Sequence, residues 1–139
     1  MIPFDFEYYL PGNAAEAVTL YSELAESGNK PLYYAGGTEV ITLCRRQVIA
    51  PAALIDLKAI SEMQQLLVDN DKLIFGANLS LSFLSEQTDY PLLARIAASV
   101  ADHTIRNRLT LGGNICSQLP YREAVIPFLL AEADLMVVG

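Results

Sequence analysis

The chain has 139 residues and a formal net charge of −7, with 53 % apolar and 18 % charged residues. So much apolar content excludes intrinsic disorder, and nine basic residues against sixteen acidic ones exclude a generic nucleic-acid binder. The longest apolar stretch, Ala124–Ala131 with Pro127 inside it, falls far short of the about 20 residues that span a bilayer. The N-terminal run MIPFDFEYY has no basic segment followed by an apolar core, so a soluble, cytoplasmic chain without a secretory signal is expected. Low charge with high apolar content also predicts greasy surface, covered by a partner, by a second copy of the chain or by the rest of a larger protein.

In chain order, Phe4–Tyr9 reads as an extended piece ended by Pro11-Gly12. Asn13 and Glu16 have the spacing of a capping box. Ala17, Leu20, Tyr21 and Leu24 then recur at helical spacing until Gly28-Asn29. Pro31–Ala35 is a strand candidate running into Gly36-Gly37-Thr38, and Glu39–Arg46 a short helix with Val40, Ile41, Leu43 and Cys44 inward. Ala53–Leu57 is the next strand, and Lys58–Met63 a junction. Gln65–Val68 and Lys72–Phe75 predict a hairpin with a slightly long turn at Asp69-Asn70-Asp71. Ser80 caps a helix over Leu81–Glu86, and Pro91 opens another through about Asp102, with His103 beside its end. Thr104–Gly113 reads as loop or irregular strand, and Tyr121–Glu132 as helical despite Pro127. Leu135–Val138 reads as a strand with nowhere to go, the mark of an incomplete domain. Alternating strand-like and helical segments favour an α+β layering: an N-terminal α/β subdomain over residues 1–57, then a second, incomplete subdomain over 58–139 with an antiparallel sheet.

Cys44 and Cys116 lie 72 positions apart, with no CxxC, and read as reduced core residues rather than metal or cluster ligands. His103 is the only histidine, so no metal site and no nucleophile–histidine pair is expected. No residue stands out as catalytic.

Two glycine pairs carry the chemistry. Tyr34-Ala35-Gly36-Gly37-Thr38 sits between a predicted strand and a helix N-terminus, where backbone N–H groups and the helix dipole favour an anion. It also suits a plain tight turn that needs positive φ at glycine. The second segment runs from Ile105-Arg106-Asn107-Arg108 to Thr110-Leu111-Gly112-Gly113-Asn114. Taken alone it suits an ordinary glycine turn with exposed arginines. Together the two could grip opposite sides of one diphosphate. There is no GxGxxG, which excludes the dinucleotide fingerprint of that form. Tyr33-Tyr34 could stack on a cofactor ring, but strand alternation sends at least one of them into the core.

The combination resembles the FAD-binding domain of the molybdenum hydroxylases, a group that includes the flavin subunits of xanthine dehydrogenase and of aerobic carbon monoxide dehydrogenase. It rests on Ala35-Gly36-Gly37-Thr38 after a strand, Pro51 with Ile55-Asp56-Leu57, Leu73-Ile74-Phe75-Gly76-Ala77, and the Ile105-to-Asn114 segment, over nearly the whole chain. The ending Tyr121–Leu130 is most similar to the bacterial xanthine-dehydrogenase type.

The resemblance implies the molybdopterin-dehydrogenase type of FAD-binding fold, with FAD as cofactor. Ala35, Gly36, Gly37 and Thr38 would hold its pyrophosphate together with Thr110, Gly112, Gly113 and Asn114. Glu39 and Val40 would continue the first loop's contacts. Cys116 and Ser117 would lie along the ribityl and adenine portion. Glu123 stands where an Asp commonly bonds ribose or ribityl hydroxyls, one methylene longer, and Leu109 where a small residue is usual. An oxidoreductase component is implied, relaying electrons from iron–sulfur centres on a partner subunit through flavin to NAD or another acceptor, beside a molybdopterin subunit. The family's flavin subunits are considerably longer, so this short chain alone is expected to be inactive. The competing reading is a truncated, non-catalytic module that binds a subunit and no longer binds flavin.

Overall fold

The computed structural model describes all of residues 1–139, which form two compact units, Met1–Glu62 with Val137–Gly139 and Met63–Met136. In the first unit β1 (Glu7–Tyr9), α1 (Ala14–Glu26), β2 (Pro31–Tyr34), α2 (Thr38–Arg45) and β3 (Ala53–Asp56) alternate. The strands make a parallel sheet in the order β1-β3-β2. Helical crossovers cover such sheets, so the central strand reads as a continuous apolar run rather than an alternation. β3 (ALID) is buried at all four positions. Ala14, Ala17 and Leu24 of α1 face the core with Leu54, Ile55, Ile60 and Cys44, whereas Tyr21 stays exposed and stacks on Tyr33.

Asn13 Oδ1 accepts from the Glu16 N–H at 2.9 Å, as a cap should. The Glu16 carboxylate reaches back to the Gly12 N–H at 2.7 Å, and Glu62 Oε1 accepts from the Ala14 N–H at 3.1 Å. Three carboxylate or amide oxygens thus serve the orphan donors at one helix start. In α2 only Cys44 is buried; Ile41 faces solvent, so the predicted inward set is narrower than its spacing suggested.

The second unit opens on a hairpin, β4 (Leu66–Asp69) and β5 (Lys72–Phe75). Asp69 pairs directly with Lys72, so the connection has two residues, shorter than the sequence suggested. Asn70 and Asp71 take φ of 46° and 66°, the double positive φ that a two-residue I′ turn requires and that Asn and Asp tolerate. Five short helices follow: α3 (Leu81–Ser85), α4 (Pro91–Ser99), α5 (His103–Arg106), α6 (Leu111–Ile115) and α7 (Val125–Leu130). Their shared core is Leu79, Leu81, Leu84, Leu93, Ala97, Val100, Leu111 and Ala124. The Phe128 ring meets Phe75 and Tyr90 edge-on.

Thr104–Gly113 is only in part the expected loop or irregular strand: residues 107–108 form a turn and Thr110 a β-bridge, while the two ends of the segment enter α5 and α6. Asp102 accepts from the Ile105 N–H at 2.9 Å and Thr110 from the Gly113 N–H at 3.2 Å, and these caps outweigh the poor helix propensity of two glycines. α4 ends at Ser99, because Ala101 turns to φ 47°. Arg106 Nη1 then donates to the carbonyls of Val100 and Ala101 at 2.9 and 2.8 Å. His103 therefore starts a helix instead of standing beside the end of one. α7 is half the predicted length, with Pro127 in its first turn, where a missing N–H costs nothing. Leu135–Val138 belongs to neither sheet and lies exposed, since an apolar run makes a strand only where a neighbouring edge supplies the ladder. Cys44 is buried as expected and burial pushes its thiol up; Cys116 is exposed and not a core residue.

Candidate functional site

The first glycine turn leaves the carboxyl end of β2, the end of a parallel sheet at which ligands of α/β folds gather. Gly37 is the N-cap of α2 with φ 77° and ψ −4°, and it supplies no side-chain cap. Two constraints meet at this position. The left-handed backbone disfavours any Cβ, and a Cβ built there would lie 2.6 Å from Cζ of Tyr34. The N-cap of α2 thus contributes no side-chain bond to the helix's first turn. A Cβ-free turn opening a helix N-terminus is what a diphosphate needs, so this turn fits the group that the resemblance implies.

Ala35, Gly36, Thr38, Glu39 and Val40 are all half-buried around Gly37. Thr38 is the first residue of α2, and its carbonyl accepts from the Thr42 hydroxyl at 2.8 Å. Glu39 places an acidic group in the first turn, where the dipole stabilises it. Both adjacent tyrosines are engaged within the unit. Tyr33 stacks on Tyr21 with ring centroids 4.9 Å apart, and Tyr34 lies against Gly37 with the Lys58 ammonium 4.2 Å over its ring.

Behind this turn lies a charged group that is not among the sequence candidates. Asp56, the last residue of β3, pairs with Tyr34 across the sheet and is 2 % exposed. Its carboxylate accepts from Lys58 Nζ at 2.6 Å, from the Lys58 N–H at 2.9 Å and from the Tyr8 hydroxyl. Burial alone would raise its pKa. The bonds from Lys58 and Tyr8 outweigh that and hold it below the usual carboxylate range. The signal was present: one carboxylate in an otherwise apolar strand, with a lysine two residues on.

Tyr8 is the other side of the same arrangement. Burial, then its bond to the Asp56 carboxylate, push the phenol up to about 12. The neutral phenol is the bonding form, so its contribution to stability is complete below pH about 10. It is lost as pH rises through about 12. In an alkaline titration followed by tyrosinate absorbance, a step near pH 12 is expected that Tyr8→Phe removes; survival of that step in the variant would refute the assignment.

In the second unit Thr110 and Ser80, the N-caps of α6 and α3, face each other in an antiparallel bridge. The first-turn amides of α6 are already engaged. Leu111 N–H donates to Leu79 O at 2.8 Å, Gly112 N–H to Ala77 O at 2.7 Å, and Gly113 N–H to Thr110 Oγ1 at 3.2 Å. Gly112 is required by packing, because a Cβ would meet that of Ala77 at 2.9 Å. Gly113 is exposed and leaves a bare patch of backbone.

Asn114, 4 % exposed, is the centre of this segment. Its Nδ2 donates to Glu123 Oε2 at 3.2 Å and to Tyr121 O at 3.4 Å, and its Oδ1 accepts from the Ala124 N–H at 2.9 Å. The structure thus joins two sequence candidates nine positions apart, Asn114 and Glu123, in one hydrogen bond. Cys116 and Ser117 follow directly. The former is exposed; the latter is buried, and its hydroxyl accepts from the Leu119 N–H at 3.0 Å. No group of three His, Cys, Asp or Glu side chains could hold a metal ion, and no helix is long and apolar enough to cross a membrane.

Comparison with known proteins sets these turns in context. Residues 4–139 match the family model described as "FAD binding domain in molybdopterin dehydrogenase". The carbon monoxide dehydrogenase medium chain of Hydrogenophaga pseudoflava is 32 % identical over 143 residues, covering 100 % of this chain and 49 % of that protein. Caffeine dehydrogenase subunit beta of Pseudomonas sp. (strain CBB1) is 33 % identical over 138 residues, covering 95 % of this chain and 46 % of that protein. Among solved structures, carbon monoxide dehydrogenase from Hydrogenophaga pseudoflava lacking the Mo-pyranopterin moiety superposes with a TM-score of 0.77 at 32 % identity, over 83 % of this chain and 40 % of that one. The chain spans about half the length of the relatives it matches.

Proposed function

The chain belongs to the family of FAD-binding domains of molybdopterin dehydrogenases, and from that premise we propose that it holds FAD through both glycine segments as part of the flavin subunit of a multi-subunit molybdenum hydroxylase. The observation that carries this reading is Gly37: a left-handed N-cap without a side chain, at the carboxyl end of a parallel strand, opening the N-terminus of α2. In this reading Ala35, Gly36, Gly37 and Thr38 face the diphosphate, with Glu39 and Val40 continuing the contact. Thr110, Gly112, Gly113 and Asn114 are the second segment's contribution, where exposed Gly113 offers bare backbone. Cys116 and Ser117 line the ribityl and adenine part, and Glu123, held by Asn114, meets the sugar hydroxyls.

When bound, FAD supplies the redox chemistry of an electron relay between iron–sulfur centres on a partner subunit and NAD or another acceptor. The chain's own residues bind and orient it. A partner iron–sulfur subunit, a molybdopterin subunit and a cytoplasmic location complete the reading. The relatives are named for different oxidised molecules, so the xanthine-dehydrogenase type is one branch of this proposal, resting on the Tyr121–Leu130 ending. A second reading, a subunit-binding module without flavin, draws on the exposed Leu129, Leu130, Leu135 and Met136, which suit covering by a partner or a second copy.

Titrating the purified protein with FAD decides between the two. Quenching of flavin fluorescence with a saturable rise in melting temperature is expected. A ligand at a hundred times its Kd adds about 2.7 kcal/mol of stability. No quenching and no thermal shift at saturating FAD would overturn the flavin reading in favour of the second.

A further inference from the structure

Lys58 lies outside both glycine segments, yet two contacts tie it to the first and a third anchors it from behind. Its Nζ donates to Ala35 O at 3.3 Å, bonds the buried Asp56 carboxylate at 2.6 Å and sits 4.2 Å over the Tyr34 ring. The hydroxyl edge of that same ring lies against Gly37. Asp56 is itself fixed by the sheet and by the Tyr8 hydroxyl, so the ammonium is anchored from behind and reaches forward to the turn.

A trans peptide directs its carbonyl and the following N–H to opposite sides, and no peptide here is cis. Whatever holds Ala35 O therefore also sets the direction of the Gly36 N–H. Glycine at both following positions leaves the turn few internal restraints of its own, so an external tether has a large share in its geometry.

We infer that Lys58 is a positioning residue for the diphosphate turn: by holding the Ala35 carbonyl and the Tyr34 ring it aims the Gly36 N–H at the bound phosphate. This rests on the FAD reading above for the identity of the ligand. The group recognised is the diphosphate of a flavin dinucleotide, and Lys58 acts on it through the backbone, with its own charge balanced by Asp56.

The test uses two measurements on the same protein. In Lys58→Met, FAD affinity is expected to fall about tenfold, as for loss of one hydrogen bond to a charged group, while Lys58→Arg, which keeps charge and donors, restores most of it. In the ligand-free protein, the Gly36 and Gly37 amide resonances are expected to move in Lys58→Met while that of Ile55, buried in the same sheet, stays. Unchanged FAD affinity in a folded Lys58→Met variant, or Gly36 and Gly37 amides that do not move, would overturn the inference. Should the unmodified protein bind no FAD, the flavin reading is what fails, and the amide measurement alone then decides the role of Lys58.

Discussion

Gly37→Val is expected to abolish measurable FAD binding and to lower the melting temperature by about 10 °C. Two costs add at this position. A β-branched residue at φ 77° carries about 1–2 kcal/mol of backbone strain. Its Cβ would also displace the Tyr34 ring, whose Cζ lies 2.6 Å from that point, and forced repacking adds about 1–3 kcal/mol. Relief comes from moving either the ring or the turn, and both lie at the proposed diphosphate contact. Gly28 supplies the internal control. It has φ 81° but nothing within 4 Å of a built Cβ, so Gly28→Val incurs strain alone and should leave FAD affinity unchanged. Melting curves and FAD titrations of the two variants separate conformational strain from occupancy of the turn. A folded Gly37→Val protein with undiminished affinity would remove the first glycine segment from the site.

Asn114→Asp is expected to destabilise the protein by about 3 kcal/mol near neutral pH, with the loss shrinking as the solution is acidified. The amide nitrogen that now donates to Glu123 Oε2 and Tyr121 O becomes an oxygen. A buried carboxylate then faces another carboxylate and a carbonyl. Its folded-state pKa must rise, because burial and the neighbouring charge both favour the neutral acid. Relative to the parent, the penalty is therefore absent below the ordinary Asp value of about 3.9 and grows as pH rises through the raised one. Adding Glu123→Gln restores a donor and removes the repulsion, and should recover most of the stability at pH 7. Chemical denaturation across pH measures all three proteins. A pH-independent loss, or one that Glu123→Gln leaves untouched, would show that the Asn114–Glu123 contact is not what holds residues 121–124.

How far the sequence revealed this depended on where each residue's partners lie. The parallel first unit was legible because Asn13, Gly28 and the apolar ALID run act within a few positions of themselves. The antiparallel hairpin was equally visible, and only its turn was read a residue too long. The two short helices His103–Arg106 and Leu111–Ile115 were not, since glycines and short polar residues argue for loop unless the caps Asp102 and Thr110 are seen in place. Leu135–Val138 is apolar enough for a strand, but pairing belongs to the neighbour as much as to the segment. Among the site candidates, Gly36 and Gly37 could be named from their place between strand and helix. Lys58 could not, because its meaning comes from Ala35, twenty-three positions earlier. Asn114 and Glu123 were both picked out as ligand contacts, whereas their bond to each other required the folded chain.

The five helices of the second unit are four to nine residues long, below the length at which a helix persists alone in water. Three of them begin on a polar side chain that caps them, at Ser80, Asp102 and Thr110. None of these segments can outlast its neighbours. That half of the molecule assembles whole or stays a coil, and an intermediate that keeps part of it has no autonomous piece from which to start.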